Sequence, residues 1–440
     1  VDKLIRSGGS VGQLSFDLDG DEQARSESEE IYRAWATSFG RRGMTRESLR
    51  KVLEALGMPI RGLDQDRLGS GWTLQTSPID DREVCPVPHF GSRAQGRYRV
   101  VVLVDRLTPE DLLQRIGEST QQTATIVFAL SRTLARFWPD LARVSKERQR
   151  SFLLLDESIL LFLLAKRGSR LATWFDIALP FTYSEPYDAS AGVVPPEMFY
   201  GRAAELEGVK AQGGCYFIYG GRQLGKTALL RRAEKTFHDP SADRYAVWVD
   251  LLAQGIGERR PAADVWLSVL EKLRELKIPS LELPSVNPAK PATIDAFLAA
   301  IRVFLAAKPG RRILLLLDEA DHFFEQDARQ GSAYAETRRL KQLMDETDRR
   351  FKVVFAGLHN VFRTASTSNQ PLGHLNEAVQ IGPLMGEREI RSAEDLITRP
   401  IEAAGFEFED RSLVMRVLAQ TNYYPSLIQL YCTQLLRHLR

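Results

Sequence analysis

Gly220-Gly221-Arg222-Gln223-Leu224-Gly225-Lys226-Thr227 stands between an apolar run, Cys215–Tyr219, and a run with helical character, Ala228-Leu229-Leu230-Arg231-Arg232. The octet fits GxxxxGK[ST], and a strand before it and a helix after it give that spacing its chemistry. Glycines let the backbone curl until consecutive N–H groups point inward at phosphate oxygens. The helix N-terminus adds partial positive charge. Lys226 is then placed to neutralise the β- and γ-phosphates of ATP, and the Thr227 hydroxyl to ligate Mg2+. Gly220, Gly221, Arg222, Gln223, Leu224, Gly225, Lys226, Thr227 and Ala228 are the candidate nucleotide contacts of this loop.

The second half of such a site is Ile313-Leu314-Leu315-Leu316-Leu317-Asp318-Glu319. A strand buried on both faces reads as a continuous apolar run, and acids at its C-terminal end lie where open α/β sheets bind ligands. Asp318 would hold Mg2+ through its water shell. Glu319 would orient and polarise the attacking water, which predicts hydrolysis and not binding alone. Asp321 is either part of this group or the cap of the next helix. A similar stretch, Phe152-Leu153-Leu154-Leu155-Asp156-Glu157, occurs upstream. No loop with Lys-Ser or Lys-Thr precedes it, and the best-spaced glycines, Gly91 and Gly96, lead into Arg97-Tyr98 and a strand. The expectation there is a strand end with capping acids and no second nucleotide site.

The length of 440 residues predicts two or three domains. An apolar fraction of 44% and a charged fraction of 26% belong to a globular protein. With a net charge of +2, composition does not announce a nucleic-acid binder. Three dispersed cysteines, Cys85, Cys215 and Cys432, argue against a disulfide framework or a zinc site and point to a reducing cytoplasm. No run approaches the roughly 18–20 apolar residues of a membrane helix, and no N-terminal signal is present. The chain opens on Val1 and stops within an amphipathic run ending Arg437-His438-Leu439-Arg440, so further residues are expected beyond 440.

Residues 1–96 read as a helical and loop region: a Gly/Ser/Asp-rich first twenty residues expected to be poorly ordered, helices over 21–39 and 45–56, then loop with a short hairpin near 72–75. Two helices and a hairpin fit a winged helix, and fit equally any small helical cap. Over 97–190, apolar runs Tyr98–Val104, Ala124–Leu130, Phe152–Leu155 and Trp174–Leu179 alternate with helical stretches, the pattern of a small α/β domain with buried parallel strands. Pro180–Pro196 reads as the linker. Residues 197–383 form a longer α/β core, with strands expected at 214–219, 245–251, 312–317 and 351–357 and helices at 225–237, 261–275, 292–307 and 333–346. Residues 384–440 turn helical, at 386–398, 410–420 and 425–438, as a lid. The fold class is therefore α/β: a P-loop NTPase core with a parallel sheet and helices on both faces, a C-terminal helical lid, and a small α/β domain and a helical segment before it.

Three further stretches give residues 197–440 a family resemblance. Phe199-Tyr200-Gly201-Arg202-Ala203-Ala204-Glu205-Leu206 resembles the FxGRxxEL segment of STAND and origin-recognition-like AAA+ ATPases, which runs beside the adenine. Phe355-Ala356-Gly357-Leu358-His359-Asn360 resembles their fourth core strand, whose end carries a γ-phosphate sensor. Thr421-Asn422-Tyr423-Tyr424-Pro425-Ser426-Leu427-Ile428-Gln429 resembles their lid segment T-x-G-x-P-x-x-x-Q, with Tyr423 in the usual glycine's place. The resemblance implies base-side contacts from Tyr200, Arg202 and Pro425 and a sensing role for His359 or Asn360. It implies an ATP-driven switch that self-associates in the ATP state and acts on a protein partner or effector, in bacterial signalling or defence. A DNA-loading or transposition-type ATPase and a scaffold without turnover are the alternatives. No arginine finger is assigned; Arg349, Arg350, Arg363 and Arg399 are candidates. Residues 1–196 resemble no family.

Overall fold

The computed structural model describes residues 1–66, 71–106, 108–117, 124–131, 137–187, 194–329, 334–358 and 378–439. The upstream sheet contains β1 (Ile60–Gln65), β2 (Gly71–Thr76), β3 (Arg97–Leu103), β4 (Ala124–Ala129) and β5 (Leu153–Asp156), in that spatial order. Strands β1 to β3 pair antiparallel and β3 to β5 parallel. The hairpin is thus the edge of a sheet and not a free-standing wing. One apolar core runs from Ile5 to Leu179 across residue 96. It gathers helices α1 (Glu22–Gly40) and α2 (Arg46–Ala55) onto the same face of the sheet. Helices α3 (Pro109–Ile116) and α4 (Phe137–Glu147) cover the other face through Leu112, Ile116, Leu141 and Val144.

Two expectations for this region need correction. The first twenty residues hold a short helix, Asp2–Arg6, and a two-stranded ribbon, with Ile5 and Phe16 in the core. Trp174–Leu179 is no strand. After α5 (Glu157–Leu164) comes α6 (Arg170–Ala178), whose buried residues Leu171, Trp174, Phe175 and Ala178 repeat at helical spacing. Ser169 caps it by accepting the Ala172 N–H at 3.3 Å.

Downstream, helix α7 (Ala203–Lys210) and strand β6 (Phe217–Tyr219) lead into the phosphate loop and α8 (Lys226–Phe237). Strand β7 (Arg244–Asp250), helices α9 (Val265–Glu275) and α10 (Pro291–Ala306), and strand β8 (Arg312–Asp318) follow. Then come α11 (Asp321–Arg329), α12 (Ala335–Glu346), β9 (Phe351–Gly357) and β10 (Val379–Gln380). The sheet order is β10-β6-β9-β8-β7, with every pair parallel. Alternation along β8 explains the two layers. Leu314 and Leu316 pack with Leu229, Leu230 and Phe237, whereas Ile313, Leu315 and Leu317 pack with Trp266, Phe297, Phe304 and Phe323.

The expected strands and helices are present with similar bounds, save that β6 starts three residues late; α7, α11 and β10 are additional to them. Gly214 is pressed against the backbone of Gly208, and the Cys215 N–H goes to the Gly208 carbonyl at 3.0 Å. The backbone of residues 214 and 215 is held by α7 and not by the sheet.

Three helices, α13 (Glu387–Ala403), α14 (Arg411–Gln420) and α15 (Pro425–Leu439), make the C-terminal bundle. Its core includes Leu396, Ile397, Val417, Leu418, Ile428 and Cys432, together with Tyr187, Met198 and Tyr200 from the connection between the two sheets. The Tyr187 hydroxyl donates to the Leu396 and Ile397 carbonyls at 3.1 and 2.8 Å. The aromatic connection is therefore a built part of the lid. No helix among the described residues is long and apolar enough to cross a membrane.

Candidate functional site

Because the strands are parallel, their C-terminal ends converge on one edge, and the loop after β6 lies there beside the ends of β8 and β9. Gly220 is required by close approach: a Cβ there would run into the Ile381 carbonyl just beyond β10. Gly225 is required by its backbone, at φ 93° immediately before α8. With glycine at the N-cap, no side chain caps the first turn of α8, which leaves its N–H groups to an anion. Arg222 and Gln223 are exposed and Leu224 is buried in the core beneath.

Lys226 is buried, and its Nζ donates to the Gly220 and Gly221 carbonyls, each at 2.9 Å. Burial pulls its ammonium below the ordinary lysine value, while the charges of Glu319, Asp318 and Asp321 pull it back. All three acids therefore lie close enough to the loop to act on its lysine. Asp318 is 1% exposed; burial pushes its carboxyl up to about 6, opposed by the neighbouring Thr227 hydroxyl and reinforced by Glu319. Its Oδ1 accepts the Glu319 N–H at 3.0 Å, and its buried Oδ2 has no hydrogen-bond partner among the described residues. An orphaned carboxylate oxygen beside a threonine hydroxyl fits a hard divalent cation, so Thr227 and Asp318 are the residues that would hold Mg2+. Such an ion would neutralise phosphate charge there.

Glu319 lies in the left-handed region at φ 51°. The next N–H, of Ala320, goes to the Ala356 carbonyl at 2.9 Å, so the chain turns at Glu319 before α11 begins. Asp321 does not stand apart: its Oδ2 accepts the Leu358 N–H at 2.7 Å, tying α11 to the end of β9. Asp250 was missed. It ends β7 opposite Asp318 in register and adds to the upward push on that carboxyl. Its signal was present in the sequence, an apolar run closing on an acid, as in β8.

The lid reaches the loop through α15, where the Ser426 hydroxyl, next to Pro425, donates to the Gln223 carbonyl at 3.0 Å. Tyr423 adopts φ 58°, a conformation that favours glycine, as the expected glycine at this place requires. Arg202 is buried and joins three parts of the site's flank: Nη1 donates to Glu389 of α13 at 2.7 Å and lies 3.4 Å from Glu205, and Nη2 donates to the Gly382 carbonyl, one residue beyond Ile381. It is an internal clamp between α7, β10 and the lid. The Tyr200 ring packs with the lid core. His359, Asn360 and Arg363 lie outside the described residues.

Arg349 and Arg350 precede β9, at the end of the sheet away from the loop. Arg349 donates to the Tyr216 hydroxyl at 2.5 Å, and Arg350 to the carbonyls of Leu305, Thr347 and Lys308. Arg399 pairs with Glu83 at 2.8 Å.

Residues 209–364 match an AAA domain. The matched span runs from α7 through β9 and contains both the phosphate loop and the Asp318–Glu319 strand end, so this stretch is similar to AAA-type P-loop domains, and a helical part follows it. The match covers a little over a third of the chain. The whole chain finds no match among curated proteins.

Proposed function

We propose that this protein is an ATP-binding and ATP-hydrolysing molecular switch of STAND or related AAA+ type. The observation that carries the reading is the meeting of three parts on one sheet edge: the Lys226 loop, the Asp318–Glu319 strand end and a lid helix hydrogen-bonded to the loop. In this reading the first-turn N–H groups of α8 and the Lys226 ammonium hold the phosphates. Glu319 orients water for in-line attack, and the turn at its backbone keeps it clear of α11. Lid closure over the loop is what changes between nucleotide states. Signalling or defence in bacteria is the biological setting we propose, by fold-level analogy alone, and the three buried, unpaired cysteines suit a reducing cytoplasm.

Arg349, Arg350 and Arg399 all have partners within the chain, and Arg349 and Arg350 lie at the end of the sheet away from the loop. We therefore propose that a neighbouring copy supplies the cation for the developing γ-phosphate charge, an effect worth about 10³–10⁵ in rate. Active protein is then an ATP-dependent homo-oligomer, with Arg363 or Arg399 as the donors to test first. Specific activity should climb with protein concentration. Mixing K226A with the arginine mutant should restore part of it. Concentration-independent turnover by a strict monomer rules the assembly out. Running the same assay with and without DNA separates the switch from a DNA-tracking ATPase.

A further inference from the structure

The strip Glu197–Arg202 is held from two sides. On the lid side Arg202 is fastened to Glu389 and Gly382, and Met198 and Tyr200 sit in the lid core. The other side belongs to the upstream domain. Glu197, 0% exposed, accepts from the backbone N–H and the hydroxyl of Ser92, at 2.5 and 2.8 Å. Arg82 donates to the Phe199 carbonyl at 2.9 Å, and its guanidinium lies over the Tyr200 ring, 4.6 Å from the centroid. The Tyr200 hydroxyl is buried without a hydrogen-bond partner among the described residues, and burial pushes it up to about 12. The same upstream segment touches the core and the lid: Asp80 pairs with Lys235 of the phosphate-loop helix at 2.7 Å, and Glu83 with Arg399 of α13.

These contacts differ in kind. The Asp80 and Glu83 pairs are surface ion pairs, each worth little. Arg82 instead fixes a backbone carbonyl and the face of a ring at once, with a planar group suited to both. We infer that Arg82 is a positioning residue for nucleotide binding: from a different domain, it sets the place of the Phe199–Arg202 strip, whose Phe199 packs in the cluster that holds Leu224 of the phosphate loop and whose Arg202 fastens Gly382, next to the Ile381 carbonyl that backs Gly220. This rests on the proposed reading of the loop as the ATP site. Because coupling is reciprocal, nucleotide held by the loop must in turn tighten the upstream domain's hold on the strip. The upstream domain thereby reads occupancy of a site that it does not line.

The test is ATP titration and steady-state turnover on the full chain carrying Arg82→Ala, Arg82→Lys, Asp80→Ala or Lys226→Ala. R82A should weaken ATP binding and raise KM about five- to tenfold, with kcat at saturation within about twofold of the parent; R82K should recover most of the loss. Affinity unchanged in R82A overturns the inference, as does D80A matching R82A, since the effect would then belong to domain contact in general. If R82A fails to fold, hydrogen exchange on the parent chain decides. ATP should slow exchange at the amides of residues 82–83 and 199–201, and no change at either stretch sinks the idea. K226A separates this failure from the larger one: ATP binding that survives K226A undoes the ATPase reading itself, whereas binding lost in K226A and intact in R82A undoes only the role of Arg82.

Discussion

Each five-stranded sheet of this molecule has a strand that ends Leu-Leu-Leu-Asp and runs into a glutamate, and the two ends do different things. After β5 the helix begins at once: Asp156 is its N-cap, accepting the Ile159 N–H at 2.9 Å, and Glu157, already helical, accepts the Tyr32 hydroxyl at 2.7 Å. After β8 two residues intervene. Glu319 turns left-handed, Ala320 bonds across to Ala356, and α11 starts only at Asp321. Asp318 therefore caps nothing and keeps a buried oxygen unpaired. An acid becomes available for chemistry when the backbone declines to use it as a cap.

That contrast can be broken most directly at Lys226. K226A should lower ATP affinity at least about a hundredfold, since two or more charge-assisted bonds to phosphate go with it. R97A, following the upstream glycines, should leave binding intact. The parent should saturate at one nucleotide per protomer in calorimetric titration; a second bound nucleotide would make the two strand ends equivalent. Next in size, E319Q should keep binding while turnover falls about 10²–10⁴-fold. E157Q should leave turnover within about twofold and weaken the bond from Tyr32, about 1 kcal/mol of stability. Equal losses in both would dissolve the distinction.

The Asp pair sharpens it. The Asp318 carboxyl is raised to about 6 by burial, so the folded state holds this proton more tightly than the unfolded chain. On its account stability falls as pH rises from the ordinary aspartate value to about 6, and is not recovered above. D318N should thus stabilise the protein at neutral pH by something on the order of 1–3 kcal/mol and flatten that part of the pH profile, while Mg2+-dependent ATP binding is lost. In the parent, Mg2+-dependent binding should fade below about pH 6 as Asp318 takes up its proton. D156A should instead destabilise, by roughly 0.5–2 kcal/mol, through the lost cap. Thermal melts across pH read both; destabilisation by D318N would mean that Asp318 holds the fold together.

Much of the downstream sheet was legible because its signals are local. The aliphatic run of β8 needs burial on both faces, and the loop's glycines need their turn. What was not legible depended on distant neighbours. Trp174–Leu179 is apolar enough for a strand, and only its continuation back to Leu171 brings out the helical spacing. The hairpin, expected only as a short one near residues 72–75, pairs Ile60–Gln65 with Gly71–Thr76, and its further partner, β3, lies beyond a turn-rich stretch. Arg202 carried a family motif, but its ion pair with Glu389 joins positions 187 residues apart, which no window of sequence reveals. Asp321 was legible only as a cap or a site residue, and its bond to Leu358 required the sheet order.

The connection through Tyr187 also sets an order of events during synthesis. Apart from Ala403, the upstream core is made of residues up to Leu179 and can form while the rest of the chain is still being made. Tyr187 must wait for carbonyls that lie 209 and 210 residues later. At translation rates of about 5–20 residues per second the interval is roughly 10–40 s. Throughout it Tyr187, Met198 and Tyr200 stand beside a finished domain as an apolar strip without its cover. The lid thus closes only after both sheets have been made, and until then its uncovered strip offers a binding surface to a chaperone or to another nascent chain.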